Sequence, residues 1–154
     1  MIKLLSTIVL AIAVSFAANA QDKKAYNIDN SNIALQGYSP VSYLDLGIAQ
    51  KGLLAHKSVH DKVTYYFTSA EQKAKFDKNP DKYLPQYGGY CAFGTYAGAK
   101  FRPDPNKFVV KDGKYFLFLY TLELDAQQLW LAENHKKLVT KADENWAKLK
   151  TTYN

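Results

Sequence analysis

The chain of 154 residues holds a single cysteine, Cys91, so no internal disulfide can staple the fold. Its length is enough to bury a sizeable core without one. No apolar run beyond the first twenty residues approaches the roughly 20 residues a spanning helix needs, so no transmembrane segment is expected in the remainder. Clustered basic charge is also missing. The 20 lysines and arginines are scattered, and the formal net charge of +6 suits solubility and loose attraction to anionic surfaces; no nucleic-acid partner is expected. Catalytic signatures are scarce too. "GGYCAFGTYAG" lacks the spacing and the lysine of a phosphate-binding loop, there is no zincin helix motif, and nothing marks any serine as a nucleophile. The balance leans away from an enzyme. Repeats, low-complexity tracts and linkers are absent, so one domain is expected.

What is present begins with an export signal. Lys3 is followed by an almost unbroken apolar stretch from Leu4 to Phe16 and by Ala18-Asn19-Ala20, the small-x-small form of a cleavage site. Residues 1–20 read as a signal peptide, and the mature chain of 134 residues, with net charge +5 once Lys3 is gone, as periplasmic or secreted. Residues 21–31 read as a polar leader, 32–150 as the domain and 151–154 as a C-terminal tail.

Along the domain, Val41 to Leu44 reads as the start of a short strand. "LLAHKSVH" and "KVTYYFT" read as two strands joined at Asp61-Lys62, the second buried on both faces. Ser69 with Gln72 three residues later has the form of a capping box, and Asn79-Pro80 ends that helix. "YGGYCAFG" spaces Tyr87, Tyr90, Cys91 and Gly94 as a helix would, but Gly88 and Gly89 weaken it, which predicts a short helix or tight turn. Asp112-Gly113 between two apolar runs predicts a hairpin. Leu122 to Glu133 reads as a helix, and Thr140 with Asp143 as the start of another. Leu138, Ala142, Trp146 and Leu149 form its apolar face. The order implies a single α+β domain, with a short antiparallel sheet of hairpins packed against several helices.

Four stretches, "NIALQGYSPVSYL", "VTYYFTSAEQKAKFDKNPDKYLPQYGGYCAFG", "AGAKFRPDPNKFVVKDGKYFLFL" and "KADENWAKLK", together resemble the exported branch of the YHS-domain family, over nearly all of residues 32–150. The resemblance implies a YHS-like fold. Metal-linked members carry paired cysteines near the start of the domain and in a phenylalanine-cysteine-serine-x-x-cysteine segment. Here that segment is "FTSAEQ", with Thr68 and Gln72 at the cysteine positions, and "LQGYSPVSY" lacks the opening pair. Soft metals need thiolates or imidazoles, so the family's metal site does not carry over to those positions. "QYGGYCAFG", by contrast, matches the exported branch.

Cys91 is therefore a buried filler, a ligand, a reactive thiol or half of an intermolecular bridge. His60, which ends a strand and matches a position often held by histidine in the resembling proteins, is its best partner as a metal ligand. Tyr87 and Tyr90 could add a phenol ligand or aromatic walls for a flat cofactor. Copper, zinc and haem are the candidate groups. His56 is a weaker candidate, and His135, flanked by lysines, is expected to be solvated. Three readings follow: a binding module for a metal ion, haem or small ligand near Cys91; a cofactor-free structural or interaction domain with a cell-envelope protein partner; and a thiol-dependent enzyme.

Overall fold

Two tight turns set the strand pairing. Asp61 and Lys62 both take positive φ (49° and 64°), as do Asp112 and Gly113 (54° and 72°). Two left-handed residues in succession match the twist of the strands they join. The first turn links β1 (Leu53–His60) to β2 (Val63–Phe67), and the second links β3 (Asp104–Lys111) to β4 (Lys114–Phe118). Each pair is its own two-stranded antiparallel sheet. Both hairpins carry a register shift, between Leu53 and Lys57 in one and between Asp104 and Phe108 in the other. These positions come from a computed structural model that describes residues 25–152; the expected signal peptide, residues 1–20, lies outside the described residues.

Among the described residues five α-helices complete the α+β domain: α1 (Ala70–Lys78), α2 (Pro80–Tyr83), α3 (Ala92–Ala97), α4 (Ala126–Leu131) and α5 (His135–Leu149). Ser69 caps α1, its Oγ accepting from the Gln72 N–H at 3.2 Å. The Gln72 side chain does not return to Ser69. Its Oε1 accepts from the Thr68 N–H at 3.2 Å and the Ser39 hydroxyl at 2.7 Å, and its Nε2 donates to Ser42 Oγ at 2.9 Å. The capping glutamine is thus the centre of a buried polar node.

Three expected elements differ. Val41 to Leu44 does not begin a strand; Ser42–Leu46 forms a π-helical turn closed by Gly47 in left-handed conformation. Val41, Ser42 and Tyr43 are all buried, and consecutive burial of this kind does not fit a strand with one buried face. The helix expected over 122–133 shortens to α4, because Asp125 caps it by accepting from the Gln127 and Gln128 N–H groups. Before it the chain turns on Thr121, whose Oγ1 accepts from the Leu124 N–H. The last helix starts at His135, not Thr140: Asn134 Oδ1 accepts from the Lys137 N–H at 3.0 Å, and Thr140 donates back to the Lys136 carbonyl within the helix.

β4 organises the interior. Tyr115 and Leu117 join one buried cluster with Val41, Tyr43, Val63, Tyr65, Phe67 and Phe76. Phe116 and Phe118 join the other, with Tyr87, Cys91, Trp130, Leu138 and Ala142. Alternation of side chains along a strand sends one set to each face. The strand buried on both faces is therefore β4. In β2 only Val63, Tyr65 and Phe67 are fully buried, while Thr64 and Tyr66 are half-buried.

The segment after residue 24 is stitched into this body. Asn27 donates from its backbone to the Gly88 carbonyl at 2.8 Å and from Nδ2 to the Gly89 carbonyl at 3.1 Å. Thr64 exchanges backbone hydrogen bonds with Asn32 and Ala34. Gly88 has φ +59°, and a Cβ there would lie 1.8 Å from the Ala25 carbonyl oxygen. Glycine is what lets the two backbones meet. Among the described residues no helix is long and apolar enough to cross a membrane.

Candidate functional site

The chain enters α3 through a 3-10 turn, Gln86–Gly89, in which Tyr87, Gly88 and Gly89 all have positive φ. This reversal delivers Cys91 to the N-cap of α3, where it is 1% exposed. Its Sγ accepts from the Gly94 N–H at 3.4 Å and from the Leu119 N–H at 3.2 Å. Its backbone N–H donates to the Phe101 carbonyl at 2.9 Å, and its carbonyl accepts from Thr95. Burial pushes the thiol pKa up, and the N–H donors oppose that push without overcoming it. The sulfur holds a helix start against the end of β4.

Tyr87 shares that cluster, and its hydroxyl donates to Asp143 Oδ1 at 3.1 Å. Burial, followed by the Asp143 charge, holds the Tyr87 phenol well above its ordinary pKa. Tyr90 is also buried and donates to the Tyr26 carbonyl at 3.2 Å. A metal or haem at Cys91 would have to displace these partners. His60 belongs elsewhere: its ring stands edge-on to Phe76 of the other cluster. Its Nε2 lies 3.6 Å from Asp61 Oδ2 and 3.7 Å from Asp81 Oδ1. His56 is half-buried on β1. Among the described residues no group of three or more histidine, cysteine, aspartate or glutamate side chains is placed to hold a metal ion.

His135 is not solvated as its lysine neighbours suggest. Its side chain is 13% exposed, and its Nδ1 accepts from the Trp130 indole N–H at 3.0 Å. The ring stands edge-on to Phe116, with centroids 5.1 Å apart. An accepting Nδ1 places the proton of the neutral imidazole on Nε2. That nitrogen lies 3.9 Å from Asp112 Oδ2 on the β3–β4 turn. Burial and then Lys111 lower the His135 pKa, and Asp112 partly offsets them.

His135 also lines a pocket of about 390 Å³ between the β3–β4 turn and α5. Phe116 and Val139 supply apolar wall, Thr140 a hydroxyl, and Lys111, Lys114 and Lys136 positive charge. A concave site with an apolar wall and a few converging polar groups is the usual form of a small-ligand site. The only sequence signals for it were the hairpin tip and a histidine among lysines.

No family model, no curated protein and no solved structure matches this chain.

Proposed function

We propose that this chain is an exported, YHS-like binding module that seats a small ligand in the pocket beside His135. Cys91 then has a structural part, and no thiol chemistry is involved. The observation that carries the reading is the Trp130–His135 hydrogen bond: it fixes a half-buried imidazole in one tautomer at the wall of a pocket. Such fixing of a polar group is what a specific ligand site requires.

The YHS resemblance supports a module whose family metal has been given up. Thr68 and Gln72 stand where metal-linked members have cysteines; the Gln72 side chain centres the buried node with Ser39 and Ser42, and Thr68 joins it through its backbone N–H. Their donors and acceptors are matched to one another and present no soft ligand, so these residues do not fit copper or zinc.

A fragment screen read by the Trp130 indole N–H resonance tests the reading, with Val139→Trp as a pocket-filling control. Fragments are expected to move that resonance in the wild type and to lose the effect in the variant. Silence in the wild type, or shifts that survive the filling, would remove the pocket as the seat. Plasma mass spectrometry of the native protein beside Cys91→Ser checks the competing site. Near-stoichiometric copper, zinc or iron that vanishes in the variant would return the function to Cys91.

A second reading, an interaction domain of the cell envelope, is favoured by Leu122, which is 99% exposed, and by exposed Leu124, Leu129 and Leu131 in the same short stretch.

A further inference from the structure

Among the described residues some lysines are paired with carboxylates, and those at the pocket are not. Lys73, Lys75, Lys82, Lys107 and Lys141 are each paired with a carboxylate. Lys111, Lys114 and Lys136 have no such partner among the described residues, yet all three border one hollow. The single carboxylate there, Asp112, is 78% exposed on its turn. Three lysines against one aspartate leave a surplus of two positive charges around the mouth, before His135 is counted.

Other lining residues have different chemistry. Phe116 is buried at the base of the site, with Val139 beside it on α5. The imidazole lines the same pocket, with Nδ1 committed to Trp130 and a donor N–H on Nε2. A ligand that satisfies all of these groups has an apolar, flat part and an anionic end.

On the reading of this pocket as the ligand seat, we infer that it takes a small aromatic anion, an aryl phosphate or aryl carboxylate. The ring lies against Phe116 and Val139, and the anionic oxygens sit among the His135 Nε2–H and the ammonium groups of Lys111, Lys114 and Lys136. Charge-assisted hydrogen bonds from the exposed lysine rim hold the oxygens beside the half-buried imidazole, and apolar burial holds the ring.

Titrations with phenyl phosphate, inorganic phosphate and phenol separate the two halves. The Trp130 indole N–H is followed by NMR, with the Trp146 indole as the internal control. Phenyl phosphate is expected to move the Trp130 signal and to bind at least about tenfold tighter than either fragment, a difference of about 1.4 kcal/mol. Lys111→Gln with Lys114→Gln is expected to weaken it by about tenfold, and salt to weaken it further. Both lysines are exposed, so an unmoved Trp146 signal in the double variant shows that the fold is kept. Phenol binding as tightly as phenyl phosphate, or a double variant without effect, overturns the anion while leaving the seat. Phosphate binding as tightly as phenyl phosphate overturns the ring. If none of the probes moves Trp130, the seat itself falls.

Discussion

Trp130 donates its indole N–H to Nδ1 of His135 across 3.0 Å, joining the end of α4 to the first residue of α5. The bond exists only while that nitrogen keeps a lone pair. Protonation removes the acceptor and places charge in a half-buried site.

Stability should therefore fall on mild acidification. The groups facing the imidazole are Trp130 on α4, Lys111, Asp112 and Phe116 on the second hairpin, and Lys136 on its own helix. The folded pKa lies below the ordinary value of about 6.5, so between the two values the unfolded chain binds more protons. The contribution is fully present above pH of about 6.5 and is lost as pH drops through the folded pKa. Urea midpoints between about pH 7 and pH 5 should decline in the wild type and decline less in His135→Gln. Equal slopes would mean that His135 is not the titrating group.

Cys91 should resist thiol reagents. Ellman's reagent is expected to leave the folded protein unlabelled at pH 8 and to label it once urea unfolds it. Cys91→Ala leaves the Gly94 and Leu119 N–H groups without their acceptor, at a cost of about 1–3 kcal/mol. Cys91→Ser keeps an acceptor and should cost less. Fast labelling of the native state would contradict the burial on which this rests.

Two of the buried tyrosines, Tyr65 and Tyr115, should respond differently to loss of the hydroxyl. Tyr115 donates to the Tyr83 carbonyl at 2.9 Å, whereas the buried Tyr65 hydroxyl has no partner among the described residues. Tyr115→Phe is expected to cost about 1 kcal/mol and Tyr65→Phe nothing, or to stabilise slightly. Chemical denaturation of both variants gives the comparison.

Gly88→Ala should loosen the segment at the domain's edge. A left-handed backbone alone costs a residue with a Cβ about 1–2 kcal/mol, and here that Cβ would also strike the Ala25 carbonyl. Limited proteolysis should cut the variant between residues 25 and 34 faster than the wild type.

Both hairpin turns, the Ser69 cap and the Asn79-Pro80 stop were legible in the sequence because each is set by residues within a few positions of one another. The Ser42–Leu46 turn was not, since its apolar letters suit a strand until Gln72, thirty residues on, claims Ser39 and Ser42. Asn134 as a helix start was hidden by the stronger-looking Thr140 and Asp143. The environment of His135 was unreadable for a similar reason: Lys136 and Lys137 are its neighbours in the chain, but Trp130 and Phe116 are its neighbours in space. At Cys91 the glycines and aromatics correctly implied close packing, and only the folded chain shows what approaches: Ala25 at Gly88, and two backbone N–H groups at the sulfur.

The stitch between Asn27 and Gly88 constrains the order in which the domain can form. The earliest described segment closes onto a turn some sixty residues later, and that turn is held from the far end by Tyr87 bonding to Asp143. A chain emerging N-terminus first can therefore pair Asn32 and Ala34 with Thr64 early, but it cannot close Asn27 onto a held turn until α5 has followed. That last closure comes late, because contacts so distant in sequence carry their closure entropy before they return any stability.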